Sequence, residues 1–160
     1  MKTEPIGISR YQPLIVIVGV AVLAAASLQS VWDEGFMRYF MGLFFALLAM
    51  FKLFDLRGFA DGFQKYDVVA KQWRGYGYAY PCIELGLGLA YLADYGARTT
   101  YIVTIAVMAV SAAGVIREIR RGNKFQCACL GTVLKVPLST VSIVENAGMG
   151  LMAAGMLLAH

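Results

Sequence analysis

Charged residues are scarce in this sequence of 160 residues: they make up 15% of it, whereas 59% is hydrophobic. A single globular core of this size needs far less apolar material, so the composition favours a bilayer protein over a soluble domain. The net charge of +4 does not indicate nucleic-acid binding, because lysine and arginine are confined to a few short stretches. In an apolar chain, that pattern is typical of membrane orientation.

Histidine and cysteine are also rare, and both scarcities exclude classes of function. The one histidine is His160 at the tail, and the sequence lacks a Ser/His/Asp set, a Walker-type loop and a haem signature. Three cysteines are an odd number and argue against a secreted disulfide framework. They leave reduced thiols, a metal site or a redox pair as the options.

Long apolar segments are what the sequence has in abundance. A helix that crosses a bilayer core of about 30 Å needs about 20 mostly apolar residues. Lipid-facing backbone groups must be hydrogen-bonded internally, so such segments should be helices. The sequence predicts an all-α, polytopic membrane bundle forming a single domain. Its five predicted spans are 13–32, 36–56, 77–95, 99–119 and 136–158.

The first segment has a second interpretation. A basic start, a short apolar run and the small residues AAAS resemble a secretory signal with its cleavage site. We expect an uncleaved anchor helix, because the sequence retains residues 1–27.

Lysine and arginine concentrate before the first segment, in the predicted loop after the second and in the predicted loop after the fourth. They are Lys2 and Arg10, then Arg57, Lys65, Lys71 and Arg74, then Arg117, Arg120, Arg121, Lys124 and Lys135. Five alternating spans place all three stretches on the same side of the membrane. Cytoplasmic loops carry the excess of basic residues, so we expect a cytoplasmic N-terminus and a C-terminus on the opposite side.

Two glutamates lie deep inside the predicted spans. Glu84 in the third span and Glu145 in the fifth both fall about 10 to 14 Å inside the cytoplasmic end, at 1.5 Å per residue. A carboxylate at that depth costs a few kcal/mol unless it is protonated or paired, so both should face the bundle interior, where Lys52 is the available cation. The group is either a structural ion pair that fixes helix register or a site that handles protons or cations.

Cys127 and Cys129 form a Cys-Ala-Cys pair before the fifth span, and Cys82 lies in the third. Residues two apart form only a small, strained disulfide that is easily reduced. The same spacing lets two thiolates bind a soft cation such as Cu(I), with Cys82 completing a three-sulfur set. Cytoplasmic thiols stay mostly reduced, which favours a transient or metal-linked role over a permanent bond. A redox pair, a metal site and a structural role stay open.

The run FFALLAMFKLFDLRGFADGFQKY, followed by YPCIELGLGLAYL and by CACLGT before a last apolar segment, resembles the MauE-type membrane proteins of the DoxX-like group. The landmarks of that group are a lysine ending the first core helix, a proline with a glutamate in the second, and a CxCFG-like motif before the last. Lys52, Pro81 with Glu84, and Cys127 to Gly131 match them, with Leu130 in place of the phenylalanine. The resemblance covers 36–158 and implies a four-helix core to which the first helix is added.

The resemblance implies a location in the bacterial inner membrane and a role in thiol redox and in the maturation of disulfide-containing partner proteins. The predicted site comprises Lys52, Cys82, Glu84, Cys127, Cys129 and Glu145. In this hypothesis the Cys-Ala-Cys pair exchanges electrons as in a thiol-disulfide oxidoreductase, Cys82 is the resolving thiol, and a glutamate accepts the proton. The expected partners are the lipid bilayer and a thiol-containing protein.

Two alternatives remain from the sequence. One is a soft-metal protein that binds or transports Cu(I) through Cys82, Cys127 and Cys129, with a metal donor as its partner. The other is a non-catalytic assembly subunit whose charged residues only fix helix register. The sequence leaves the substrate and the oligomeric state open.

Overall fold

The computed structural model describes residues 12–32, 35–121 and 138–159. Within these ranges the chain forms seven helices and no strand, which confirms the predicted all-α bundle. The helices are α1 (Gln12–Trp32), α2 (Phe36–Phe54), α3 (Leu56–Phe63), α4 (Val68–Gln72), α5 (Arg74–Leu92), α6 (Ala97–Arg120) and α7 (Leu138–Ala159).

Four helices, α1, α2, α6 and α7, are long and apolar enough to cross a membrane. They correspond to the first, second, fourth and fifth predicted spans. Many of their large apolar side chains, such as Leu23, Phe54 and Leu151, are exposed on the outside of the bundle. Lipid is the environment in which such an exterior is stable, so the chain is a multi-pass membrane protein.

Helix α5 corresponds to the third predicted span but is not among these four. It has 19 residues, enough to span, but Arg74, Glu84 and its glycines and tyrosines make it less apolar. It ends at Leu92, earlier than the predicted 77–95, because the chain reverses at Asp94 and Gly96, whose φ angles are 53° and 54°. That α5 crosses the membrane stays a prediction.

Helices α2 and α5 pack against each other in antiparallel orientation. Gly42, early in α2, contacts Gly88, late in α5, whereas Lys52, late in α2, contacts Glu84. A Cβ atom on Gly88 would lie 2.9 Å from the Gly42 carbonyl oxygen and 3.0 Å from the Ala46 nitrogen. The two backbones therefore touch, as small residues allow in membrane bundles. This approach brings the polar side chains of the two helices within reach of each other.

Helices α6 and α7 form the second antiparallel pair. Asn146 of α7 donates a hydrogen bond to Ser111 of α6 at 3.2 Å, and Gly150 lies against Met108. The later residue of α7 contacts the earlier residue of α6, so the two helices run in opposite directions. The end of α6 and the start of α7 therefore lie at the same end of the bundle.

The stretch after α2 was predicted to be a loop, and this was wrong, because it forms the short helices α3 and α4. Aspartates begin both helices. Asp55 accepts a hydrogen bond from the Gly58 nitrogen at 3.0 Å, and Asp67 accepts from the nitrogens of Val69 and Ala70 at 2.9 Å. Such caps satisfy backbone donors that helix starts leave free. Buried rings then hold the stretch in place, namely Phe59, Phe63, Tyr66 and Tyr80.

The α3–α4 stretch lies against the end of α6. A Cβ atom on Gly114 would meet the Tyr66 carbonyl oxygen at 2.7 Å, and Lys71 forms an ion pair with Glu118. This region carries the basic residues Arg57, Lys65, Lys71, Arg74 and Arg120, and we call it the basic end. At the opposite end, Arg38 pairs with Asp94 at 2.8 Å.

Asp67 provides a test of the α4 cap. Its side chain is buried and, in the part of the chain described, Oδ2 has no hydrogen-bond partner. Burial raises the pKa of Asp67 above its ordinary 3.8, although hydrogen bonds from Ala70 and Val69 and the charge of Lys71 oppose the shift. The folded protein therefore binds the proton more tightly than the unfolded chain does, and stability falls as pH rises above the ordinary pKa of an aspartate.

We expect Asp67→Asn to keep the caps through its amide oxygen and to abolish this loss. The variant should melt at a higher temperature than the wild type at pH 7, and the gain should vanish at about pH 4, near the ordinary aspartate pKa. Thermal unfolding in detergent at the two pH values measures this. Asp67→Ala is the comparison, because it loses the caps. Its free energy of unfolding should fall by about 1 kcal/mol, and its melting temperature should fall with it. An equal effect of Asn at both pH values contradicts the account.

Candidate functional site

A buried ion pair joins α2 and α5. The Lys52 Nζ lies 2.5 Å from Glu84 Oε1 and 2.6 Å from Oε2, so the ammonium donates to both carboxylate oxygens. The side chains are 2% and 0% exposed. Charge-assisted bonds of this length are among the strong hydrogen bonds of proteins. The inward orientation predicted for Glu84 is confirmed, and its partner is Lys52.

Glu145 of α7 joins this pair from the other side. Its Oε1 lies 3.8 Å from Lys52 Nζ, which is within ion-pair range but beyond hydrogen-bond length. Its Oε2 is buried and has no hydrogen-bond partner among the described residues. The three side chains, Lys52, Glu84 and Glu145, come from three helices, and we call them the charged cluster. The two glutamates, which were predicted to lie at the same depth, thus share Lys52 as their cation.

Two aromatic rings cover the ammonium of Lys52. Its Nζ lies 5.2 Å from the centre of the Tyr80 ring and 5.6 Å from that of Phe59. Cations within about 6 Å of a ring face are attracted to it, and more strongly when they are desolvated. The rings also exclude water from the ion pair. Lys52 is therefore held by negative charge and by π-faces.

Polar groups of α6 and α7 extend the cluster. Tyr80 lies one turn before Glu84 on the same face of α5, with its ring over Lys52. Ser111 in turn interacts with Tyr80 and accepts from Asn146, and both Ser111 and Asn146 are buried. In lipid, such side-chain hydrogen bonds tie helices together. The bundle thus contains a polar core that connects α2, α5, α6 and α7.

Sequence reasoning missed these neighbours, although two of them left a signal. Tyr80 precedes Glu84 by four residues, and Asn146 follows Glu145 directly. The spacing of four places Tyr80 and Glu84 on one helix face. Ser111 lies in the fourth predicted span, and Phe59 in the predicted loop after the second. Nothing in the spacing singles out either one.

Glu118 is another buried acid, and the sequence analysis did not predict its burial. It is 3% exposed, forms an ion pair with Lys71 of α4 and lies 3.6 Å from Nη1 of Arg121. The basic residues around it were interpreted only as determinants of topology. The pair attaches α4 to the end of α6, which is a structural role.

Of the three cysteines, only Cys82 lies among the described residues. Cys82 is exposed on α5. It precedes Glu84 by two residues, or about 200° of helix rotation, so it lies on the side of α5 away from the charged cluster. Cys127 and Cys129 lie outside the described residues, and the site that combines them with Cys82 stays a prediction. The structure thus brings together Lys52, Glu84 and Glu145 but does not place Cys82 with them.

Metal ligation was the alternative for the cysteines. Within residues 12–32, 35–121 and 138–159 no group of three or more His, Cys, Asp or Glu side chains is arranged to hold a metal ion. The predicted Cu(I) set includes Cys127 and Cys129 and so lies outside that part of the chain. The charged cluster has two carboxylates, but Lys52 already occupies the space between them.

The arrangement of the charged cluster limits what it can do chemically. Two carboxylates share one ammonium, and among the described residues Lys52 is the cation that contacts them both. Ionised acids that are buried and unpaired are strongly disfavoured in a membrane. The cluster is therefore suited to holding or transferring a proton.

Comparison with known proteins agrees with this picture of a membrane bundle. No curated protein and no solved structure matches the chain. Residues 14–159 match the family described as methylamine utilisation protein MauE. The match begins within α1, so it is longer than the resemblance over 36–158, and it contains the whole charged cluster. Since it covers nearly the entire chain, the protein belongs to the MauE family.

Proposed function

We propose that the protein supports thiol/disulfide chemistry at the bacterial inner membrane, in the maturation of a partner protein needed for methylamine utilisation. The observation that carries the proposal is the charged cluster buried at the end of the bundle where α6 ends and α7 begins. The segment with Cys127 and Cys129 connects these two helix ends. Thiol exchange consumes and releases protons, and the cluster is a group of side chains able to supply them.

Chain connectivity sets the distance scale between the thiols and the cluster. Glu145 lies about two turns, or about 10 Å, from the start of α7 at Leu138. Glu118, in the last turn of α6, lies beside α4 at the basic end. The two helix ends that flank the cysteine segment therefore lie at the same end of the bundle as the carboxylates. In this proposal the MauE landmarks Lys52, Glu84 and Cys-Ala-Cys form one functional unit.

The proposed reaction is an exchange between dithiol and disulfide. The thiols of Cys127 and Cys129 give up two electrons and two protons and form a disulfide, while a disulfide of the partner protein accepts them and becomes two thiols. The reverse direction oxidises the partner. A thiolate is the attacking species in either direction, so a nearby group that exchanges protons speeds the reaction. Cys82 lies on the outer side of α5 and is not needed for this exchange.

The orientation of the protein is part of the proposal. The basic end carries Arg57, Lys65, Lys71, Arg74 and Arg120, and the positive-inside rule places such an end in the cytoplasm. This supports the cytoplasmic N-terminus and the periplasmic C-terminus expected from the sequence. The cysteine pair would then face the reducing compartment, where its disulfide is transient.

Counting of free thiols tests the redox role. The full chain in lipid nanodiscs is equilibrated at graded ratios of reduced to oxidised glutathione, and the free thiols are alkylated and counted by mass. We expect a transition in which two thiols are lost together. Cys127→Ser and Cys129→Ser should each abolish it, whereas Cys82→Ser should leave it in place. A pair that stays reduced at every ratio rejects the proposal.

Two further measurements separate the alternatives. Anaerobic titration with Cu(I) that shows tight binding lost in Cys129→Ser would replace the redox role by soft-metal binding.

Growth on methylamine, in a host whose own MauE protein is deleted, tests the assembly subunit. If Cys127→Ser and Glu145→Gln both support growth while disruption of helix packing does not, the charged residues serve only to fix register.

A further inference from the structure

The charged cluster has one more acid than it has bases, and the excess acid can be identified. Lys52 Nζ is committed to Glu84, with 2.5 and 2.6 Å to its two oxygens. Glu145 is 3.8 Å from the same nitrogen and has Oε2 buried without a hydrogen-bond partner in the described chain. The ammonium balances one negative charge, and geometry assigns that charge to Glu84.

Among the described residues, the groups that face Glu145 include no second cation. Lys52 comes from α2, Glu84 and Tyr80 from α5, and the neutral Ser111 from α6. Of the other described cations at this end, Lys71 pairs with Glu118 and Arg74 with Asp61, whereas Arg57, Lys65 and Arg120 are exposed. A negative charge on Glu145 would lie beside Glu84 in a space that water does not reach. Such a charge is neutralised by a proton rather than retained.

We propose that Glu145 carries an exchangeable proton in the resting protein, which makes the charged cluster a proton donor built into the membrane. In the proposed thiol exchange, Glu145 would donate this proton to a departing thiolate and would take up another proton afterwards. Only this donation to a thiolate rests on the proposed function. The presence of the proton follows from the cluster itself.

Two tyrosines of α5 mark the route that this proposal gives the proton to the basic end. Tyr80 and Tyr76 lie one and two turns before Glu84 on the same face of α5, and their ring centres are 5.8 Å apart. Tyr80 is buried, whereas Tyr76 is partly exposed. The two tyrosines thus lead from the carboxylates towards the surface of the bundle. Tyr80→Phe removes the first of these groups and leaves the ring over Lys52.

Infrared spectroscopy of the full chain in lipid nanodiscs tests the proposal, because a protonated carboxyl has a carbonyl band separate from that of a carboxylate. We expect such a band at pH 7, shifted in D₂O. Asp67, the other buried acid with an oxygen lacking a partner among the described residues, is removed from the spectrum by measuring Asp67→Asn in parallel. Glu118→Gln is the control, because this acid is ion-paired, and it should leave the band unchanged.

The variants of the cluster give responses that a structural ion pair would not. Glu145→Gln should abolish the band, and so should Glu84→Gln, since one ammonium then balances the one remaining acid. Lys52→Met should about double it, because both acids must then be neutral. Tyr80→Phe should keep the band but slow its shift in D₂O by about tenfold or more, because proton transfer by a positioned side chain contributes at least that much.

The outcome separates this proposal from the redox role. A wild-type protein without the band, or a band that survives both glutamine variants, rejects the proton on Glu145. A band that appears only when sodium and ammonium ions are removed shows that a cation, not a proton, balances the charge, and this also rejects it. Cys127→Ser should retain the band, so failure of the thiol exchange would leave the proton site standing.

Discussion

Replacement of Lys52 by methionine should lower the free energy of unfolding by about 3 to 5 kcal/mol, the range measured when one partner of a buried ion pair is removed. Methionine fills a similar volume and preserves the contacts with Phe59 and Tyr80, so packing is little changed. What is lost is the ammonium that bonds both oxygens of Glu84 at 2.5 and 2.6 Å. Two acids then remain buried without a cation.

The double variant Lys52→Met with Glu84→Gln distinguishes charge from packing. Once the second charge is also gone, most of the lost stability should return, because a buried pair replaced as a whole is often neutral or even stabilising. Lys65→Met is the matched control, since Lys65 is exposed on the same end of the bundle, and it should change stability by about 0.5 kcal/mol or less.

Unfolding in mixed detergent micelles, followed by circular dichroism or by the reactivity of buried groups, provides the measurement. The double-variant cycle gives the coupling energy between Lys52 and Glu84 directly. If the single variant unfolds like the wild type, the ion pair contributes nothing to the bundle. If the double variant is as unstable as the single one, the loss comes from packing around the lysine stem and not from the uncompensated acid.

The charged cluster was predictable from the sequence because it depends on depth alone. A helical rise of 1.5 Å per residue and alternation of the spans suffice to place Lys52, Glu84 and Glu145 at one level. The energy of a buried carboxylate then requires both acids to face inward. The structure agrees, with the three side chains in one group.

Rotation about the helix axis was much harder to predict than depth. In a soluble helix an apolar stripe reveals the buried face, but in a membrane helix the lipid-facing side is apolar too. This is why Cys82 was assigned to the same site as Glu84, although the structure exposes it on the other side of α5. The stretch that forms α3 and α4 failed for a related reason. Its basic residues suggested a loop, whereas Asp55, Asp67 and buried rings make it helical.

Replacement of Gly88 by alanine should destabilise the bundle by about 1 to 3 kcal/mol, the usual effect of overpacking. The added Cβ would lie 2.9 Å from the Gly42 carbonyl oxygen, 3.0 Å from the Ala46 nitrogen and 3.2 Å from the Phe45 Cβ. The first two are backbone atoms of α2 and cannot rotate away. The helices must therefore move apart, which also stretches the contact between Lys52 and Glu84.

Gly86 in the same helix is the matched control. A Cβ atom there meets nothing within 4 Å, and alanine is a better helix former than glycine by about 1 kcal/mol. Gly86→Ala should therefore leave stability unchanged or raise it, so two identical substitutions two residues apart should act in opposite directions. The melting temperature in detergent measures both. If Gly88→Ala also raised the melting temperature, α2 and α5 would not be in backbone contact, and the approach that joins Lys52 to Glu84 would need another cause.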